Sequence, residues 1–251
     1  MTRKSSLVLV LLRKEISAFL SSLMGYMVIC VFLFIIGMFV WAIPGTDFNL
    51  IENGTASLDS LFILAPWVFL FLIPAVTMRM FTEEQRSGTI ETLFTRPITE
   101  LQIVIAKFGA SIILVLISLI PTVIYFISVY FLASPLGNVD VAGILGSYLG
   151  LLFLCSGFTA IGIFASSLTQ NQIISFLLAL LLCFFFYNGF EALSTFNFSL
   201  PIRNLFSALG ISAHYSSMSR GVIDTRDVVY FISLSAFFVF LTRFNLERRK
   251  W

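Results

Sequence analysis

Residues 142–165 read AGILGSYLGLLFLCSGFTAIGIFA, without a single Asp, Glu, Lys, Arg or His. A helix rises about 1.5 Å per residue and the hydrocarbon of a bilayer is about 30 Å thick, so about 20 apolar residues suffice to cross it. This run reads as a membrane-spanning helix. The same test, worked outward along the chain, finds five more: Leu23 to Ile43, Leu61 to Met78, Phe108 to Leu132, Ile173 to Phe190 and Val228 to Thr242. The last is short for a perpendicular crossing and is expected to continue through Phe244, with Arg243 snorkelling to the interface. The 251 residues are 59% hydrophobic and only 11% charged, whereas soluble domains carry about 25% charged residues. The fold class is therefore all-α and membrane-embedded, one transmembrane unit over residues 1–251. A water-soluble enzyme and a basic nucleic-acid binder are both excluded.

Every charge falls outside the six runs. Four basic residues precede the first (Arg3, Lys4, Arg13, Lys14), four lie between the second and third (Arg79, Arg86, Arg96, Lys107), and four follow the sixth (Arg243, Arg248, Arg249, Lys250). With six crossings these groups share a side, against Arg203, Arg220 and Arg226 on the other. Positive charge marks the cytoplasm, so both termini are expected inside. The loops after the first and third runs hold Asp47, Glu52, Asp59 and Asp140 with no basic residue, in keeping with an outer location. Arg3 and Lys4, a short apolar stretch and Arg13-Lys14-Glu15, with no small-residue cleavage site between them, give no sign of a cleavable signal peptide.

Several features refine this outline. Residues 1–22 place Leu9, Leu12, Ile16 and Phe19 with Leu20 at helical spacing, suited to an amphipathic helix lying in the inner interface, or else to an early membrane entry. Gly143, Gly150 and Gly157 recur every seven residues with Gly146 and Ser147 beside them. They form a small-residue stripe where another helix, of this chain or a second copy, can approach closely. Pro66, Pro74 and Pro121 are expected to bend their helices or mark their ends. The outer segment 191–227 has helical apolar spacing around Pro201 to Ile211, too short to span, and reads as a re-entrant or interfacial element or as a loop on the lipid surface. Cys30, Cys155 and Cys183 sit in apolar runs and read as packing residues.

No ionisable side chain lies inside the six runs, which counts against proton relays, ion-coupled transport and intramembrane proteolysis. His214, the single histidine, reads as a solvated or cap-forming residue. No catalytic or metal-binding set is present and no G-x-x-x-x-G-K-[ST] occurs, so energy for any transport has to come from another protein. The serines, threonines and amide within the runs (Ser111, Ser118, Thr122, Tyr125, Ser156, Thr159, Asn188) suit lipid, glycan or drug-like cargo equally.

The segment between the second and third runs, FTEEQRSGTIETLFTRP at 81–97, is more specific. Thr82 with Gln85 offers a capping-box start, Gly88 a stop, and Thr89 a cap for a short helix to Thr95 that Pro97 ends. Thr99 with Gln102 caps the next helix. The outcome expected is a two-turn helix below the membrane, with Ile90, Leu93 and Phe94 facing inward or toward a partner groove; the other reading is a solvated loop.

The pattern Glu83-Glu84-x-Arg86-x-Gly88-Thr89-x-Glu91-x-Leu93-x-x-x-Pro97, followed by Lys107, resembles the coupling-loop signature of bacterial ABC-transporter permeases of the type-2 exporter class. The nearest likeness is to the membrane subunit of the gliding-motility-associated ABC transporter. A second match is Ser166-Ser167-Leu168-Thr169-x-Asn171-Gln172. The resemblance covers nearly the whole chain and implies a bacterial inner-membrane permease that performs no chemistry. It further implies assembly with a second permease copy or a related membrane subunit, and with a separate ABC ATPase that binds ATP and Mg. Glu83, Glu84, Arg86, Gly88, Thr89, Glu91, Leu93 and Pro97 then form the ATPase-facing segment within residues 79–102, while Gly143, Gly146, Gly150 and Gly157 serve helix packing. The competing class is an ATP-independent channel or envelope scaffold in membrane lipid; a P-loop protein encoded next door separates the two.

Overall fold

The structure is a computed structural model that describes residues 2–54, 56–95, 98–196 and 199–248. Arg96, Pro97, Arg249 and Lys250, which enter the sequence reading, lie outside the described residues. Every regular element among the described residues is helical. Six helices are long and apolar enough to cross a membrane.

Helix α1 (Thr2–Leu20) is the N-terminal amphipathic helix. It buries Leu11 and Phe19 while Arg13 and Lys14 face outward. Leu9, of the same apolar set, is left uncovered by the rest of the chain. The chain breaks at Ser21–Ser22, where the Ser22 hydroxyl accepts from Gly25 N at 3.2 Å and caps α2 (Leu23–Ala42). Helix α3 (Asp59–Arg86) follows, then the short α4 (Thr89–Phe94) and α5 (Glu100–Leu132). The Thr99–Gln102 capping box expected for α5 is present, and Pro121 tightens α5 into a turn of 3₁₀ helix at Ile120–Thr122. Helix α6 (Val141–Leu168) is capped by Asp140, and α7 (Gln172–Ser194) by Asn171. Two short helices, α8 (Leu200–Leu209) and α9 (Ile211–Met218), precede α10 (Thr225–Arg248).

Helix α6 is the axis of the bundle, packed against α3, α5, α7, α9 and α10. In α3 and α6 72% of the apolar stretch is buried, against 22% in α2 and α7. Helices α3 and α6 are thus the core, and α2 and α7 leave apolar faces outward, as a lipid solvent permits. The small-residue stripe is used inside this chain. A side chain at Gly146 meets the backbone of Gly221, one at Gly150 meets Met218, and one at Gly157 meets Leu234 and Phe231. Small residues here admit the end of α9 and the face of α10.

The segment after α7 folds back onto the bundle as a helical pair. Helix α8 buries none of its residues, whereas α9 buries Ile211, Tyr215 and Met218, and Tyr215 Oη donates to Phe62 O of α3 at 2.8 Å. At the opposite end a second apolar cluster gathers Leu11 of α1, Phe81 of α3, Ile90 of α4, Ile103 and Val104 of α5, Ile163 of α6 and Leu246 of α10. Helix α1, the start of α5, α4 and the final turns of α10 therefore share one end of the molecule, called the basal end below.

Candidate functional site

The approach to α4 differs from the local expectation. Thr82 does not start a helix: α3 runs on through it to Arg86, the Thr82 hydroxyl donates back to Met78 O, and Gln85 Nε2 donates across to Ser167 O at 3.0 Å. Partners on the preceding turn and on α6 have claimed both side chains that a capping box needs. The stop at Gly88 is as expected. Its φ of +71° is left-handed, a conformation glycine adopts without steric cost, and it turns the chain from α3 into α4. Ser87 Oγ reaches Glu83 O at 2.8 Å and Thr89 Oγ1 at 2.9 Å, and Thr92 Oγ1 donates to Thr89 O at 2.7 Å, so the corner is stiffened by short hydroxyl bonds.

Directly beneath this corner lies a buried cluster of four charges. Lys107 Nζ, on a side chain with no exposure, lies 3.0 Å from Glu15 Oε1 and 3.0 Å from Glu84 Oε2, and donates to Met80 O at 2.6 Å. An ammonium has three donors; Glu15 and Met80 accept from two of them, and Glu84 Oε2 is held as an ion pair. The Phe81 ring stands 5.1 Å from the same nitrogen, near enough for a cation–π contact. Lys14 Nζ adds contacts to Glu84 at 3.3 Å and Glu15 at 3.6 Å. Two cations and two carboxylates leave the cluster neutral. It joins α1, the basal turns of α3 and the first turns of α5. A buried charge is costly to remove from water, and losing one partner of such a set is strongly destabilising, so these three elements are held in one arrangement.

Helix α4 rests on this base. Ile90 is buried in the basal apolar cluster and Leu93 packs partly against it. Glu83, Arg86, Ser87, Gly88, Thr89 and Glu91 are exposed and form a mixed-charge outer face. Glu84, expected on that face, is turned inward onto Lys107 with its side chain 12% exposed. Of the sequence-derived set, Glu83, Arg86, Gly88, Thr89 and Glu91 thus face outward together, Leu93 is half-buried, Glu84 belongs to the cluster, and Pro97 lies outside the described residues. A cleft of about 270 Å³ separates α1 from α4, lined by Leu7, Val10, Lys14, Glu84, Thr92 and Ile98 among others.

Sequence reasoning missed Glu15 as part of this base and left Lys107 at a helix mouth. No local signal marks either, because their partners are distant in sequence. At the far end, His214 follows the cap-forming and not the solvated reading: its Nε2 lies 3.0 Å from Ala208 O in the last turn of α8, its Nδ1 2.7 Å from Asp227 Oδ1, and its ring stacks on Tyr230 with centroids 4.0 Å apart. The hydroxyls inside the spans are mostly consumed by their own helices. Ser111 donates to Lys107 O, Ser118 to Val115 O and Ser156 to Phe153 O, so they make no continuous polar path. Among the described residues no group of His, Cys, Asp and Glu is arranged to hold a metal.

A search among characterised proteins finds no match. Residues 9–242, from α1 to the last turns of α10, match the family described as ABC-2 family transporter protein. With six apolar helices and that match over nearly its full length, the chain belongs to the ABC-2 family of transporter proteins, as a multi-pass membrane permease.

Proposed function

We propose that the chain is the permease subunit of an ATP-driven exporter of the bacterial inner membrane, with the basal end in the cytoplasm and α4 as the helix that a separate ATPase pushes. One observation carries this reading: the α3–α4 corner presents a mixed-charge face, with Glu83 and Arg86 on α3 and Glu91 on α4, while its other side rests on a neutral, ion-paired base. A lever needs a rigid contact outside and a stiff connection inside. Charged residues on the outer face fix the register of a partner without large apolar burial, and the Lys107 cluster passes displacement to α1, α3 and α5 together. ATP and Mg belong to the ATPase. A second copy or a related membrane subunit completes the pathway, and the outward apolar faces of α2 and α7 suit such a neighbour or lipid. The family match supports the permease reading and does not reach the gliding-motility branch.

The test is co-purification with an ABC ATPase, sought first among P-loop proteins encoded beside the chain. Glu83→Lys with Glu91→Lys should leave the permease folded and abolish both ATPase capture and stimulation of ATP hydrolysis. Wild-type capture and stimulation by that double variant sinks the assignment of this face.

A further inference from the structure

The cytoplasmic reading of α4 leaves open where α3 yields when α4 moves. Helix α3 is built of two pieces, Asp59–Thr77 and Arg79–Arg86, interrupted at Met78. Above the break, the Thr77 hydroxyl donates to Ile73 O at 2.9 Å, a back-bond that bends helices, and Gly162 of α6 leaves just enough room for Thr77 against it. At the break, Phe81 N finds its acceptor on another helix: it donates to Ser166 Oγ at 3.0 Å. Ser166 Oγ in turn donates to Met78 O at 3.2 Å. A serine hydroxyl offers one donor and two acceptor lone pairs, and here it spans the gap in the ladder from residue 78 to residue 81. The hydroxyl is fully buried.

One residue further, the carbonyl of Ser167 lies in the last turn of α6, where helical carbonyls lack partners within the helix. It accepts from Gln85 Nε2 at 3.0 Å and from Asn245 Nδ2 of α10 at 2.8 Å. The lower piece of α3 is therefore pegged to α6 and, through the same carbonyl, to α10. That piece also carries Met80 and Glu84 of the charge cluster and leads straight into α4. Two buried atoms beside the break, Arg79 Nε and Gln85 Oε1, have no hydrogen-bond partner in this conformation, capacity that a second arrangement can use.

We propose that Met78 is a hinge in α3, that Ser166 is its pin, and that the Gln85 and Asn245 bonds to Ser167 set its resting angle. The functional side of this rests on α4 being the pushed helix. Sharp bends in helices occur where another side chain inserts into the ladder, and a bend here exchanges one hydroxyl's bonds instead of breaking the helix's own. Ser166 and Ser167 are positioning residues: they act on α4 through α3.

The experiment uses the full chain alone in lipid nanodiscs, with Cys30, Cys155 and Cys183 replaced by alanine and spin labels on Thr92→Cys and Gln170→Cys. Pulsed electron–electron resonance reads the distance between α4 and the end of α6. The unmodified hinge should give one narrow distance. Ser166→Ala and, independently, Gln85→Met should each lose that single peak in favour of a broader or displaced distribution. Ser118→Ala, which removes a buried hydroxyl bonded within α5, should keep it. If Ser166→Ala does not fold, Gln85→Met decides. An unchanged peak in Gln85→Met and in any folded Ser166→Ala overturns the hinge, and so does equal broadening in Ser118→Ala. No ATPase is in the sample, so failure of the partner assignment leaves this result standing.

Discussion

The two ends of the bundle both bury charge, and they bury it in different ways. At the basal end Lys107 reaches Glu15, 92 residues away, and Met80, 27 away, while Lys14 reaches Glu84 across 70. At the far end the ties to charged side chains are short-range, and the long-range bond there, Tyr215 Oη to Phe62 O, joins neutral groups. His214 bonds Asp227 13 residues on and Ala208 six residues back, Ser217 donates to Asp227, and Tyr230 Oη donates to Leu209 O at 2.7 Å. The far-end network closes a helical hairpin on itself and onto the start of α10. The basal network ties together elements that no local sequence holds in place, and it lies under a short helix with an exposed charged face. A molecule that receives force at one end needs the long-range fastening there, and needs only a lid at the other.

That comparison can be broken by substitution. Lys107→Met leaves the buried Glu15 and Glu84 carboxylates with only the largely exposed Lys14 as counter-charge, and should cost about 3–5 kcal/mol, seen as the largest fall in thermal unfolding temperature in detergent. Adding Glu15→Gln with Glu84→Gln should recover much of it, because unpaired charge is the source of the loss. A small effect of Lys107→Met means that the cluster does not fasten the base. Asp227→Asn keeps an acceptor for Ser217 but weakens the tie to His214, a hydrogen bond to a carboxylate worth about 1.5–3 kcal/mol. Faster amide exchange should be confined to residues 211–218, and spread of that change to α4 contradicts a purely local network. Lys14→Met should cost about 0–1 kcal/mol, since its side chain is 60% exposed and exposed pairs contribute little. Burial of the Lys14 stem works against its charge, but Glu15 and Glu84 outweigh it and hold the ammonium above the usual lysine range. Its contribution is thus complete at neutral pH and is lost only as pH rises through that raised value. Glu91→Lys should have the smallest effect on stability, within about 0.5 kcal/mol, by the same unfolding measurement.

The sequence makes some of this contrast readable and hides the rest for a physical reason. The six crossings follow from charge-free runs, since hydrocarbon tolerates nothing else, and the Thr99–Gln102 cap and the Gly88 stop follow from interactions within three residues. Thr82 and Gln85 carry the same local pattern as Thr99 and Gln102 and do not form a cap, because Met78 O and Ser167 O are available to them in three dimensions. Glu84 stands between two exposed-looking neighbours, and only the proximity of Lys107 turns it inward. His214 shares the outer segment 191–227 with Asp227, but no spacing rule pairs residues 13 apart. In each case the deciding partner is on another element or another turn, where no spacing rule reaches. The outer face of the α3–α4 corner, in contrast, follows from the sequence: Glu83 and Arg86 at the end of α3 and Thr89 and Glu91 on α4 stand exposed together.

The central claim is that this face of α4, and not the far end, meets the ATPase. With the three native cysteines replaced, a photoactivatable cross-linker can be attached at Glu91→Cys on α4 or at Val222→Cys, exposed at the far end, and activated in native membranes. The account predicts a cross-linked product from Glu91→Cys that contains a P-loop ATPase peptide by mass spectrometry, and none from Val222→Cys. An ATPase adduct from Val222→Cys without one from Glu91→Cys contradicts it.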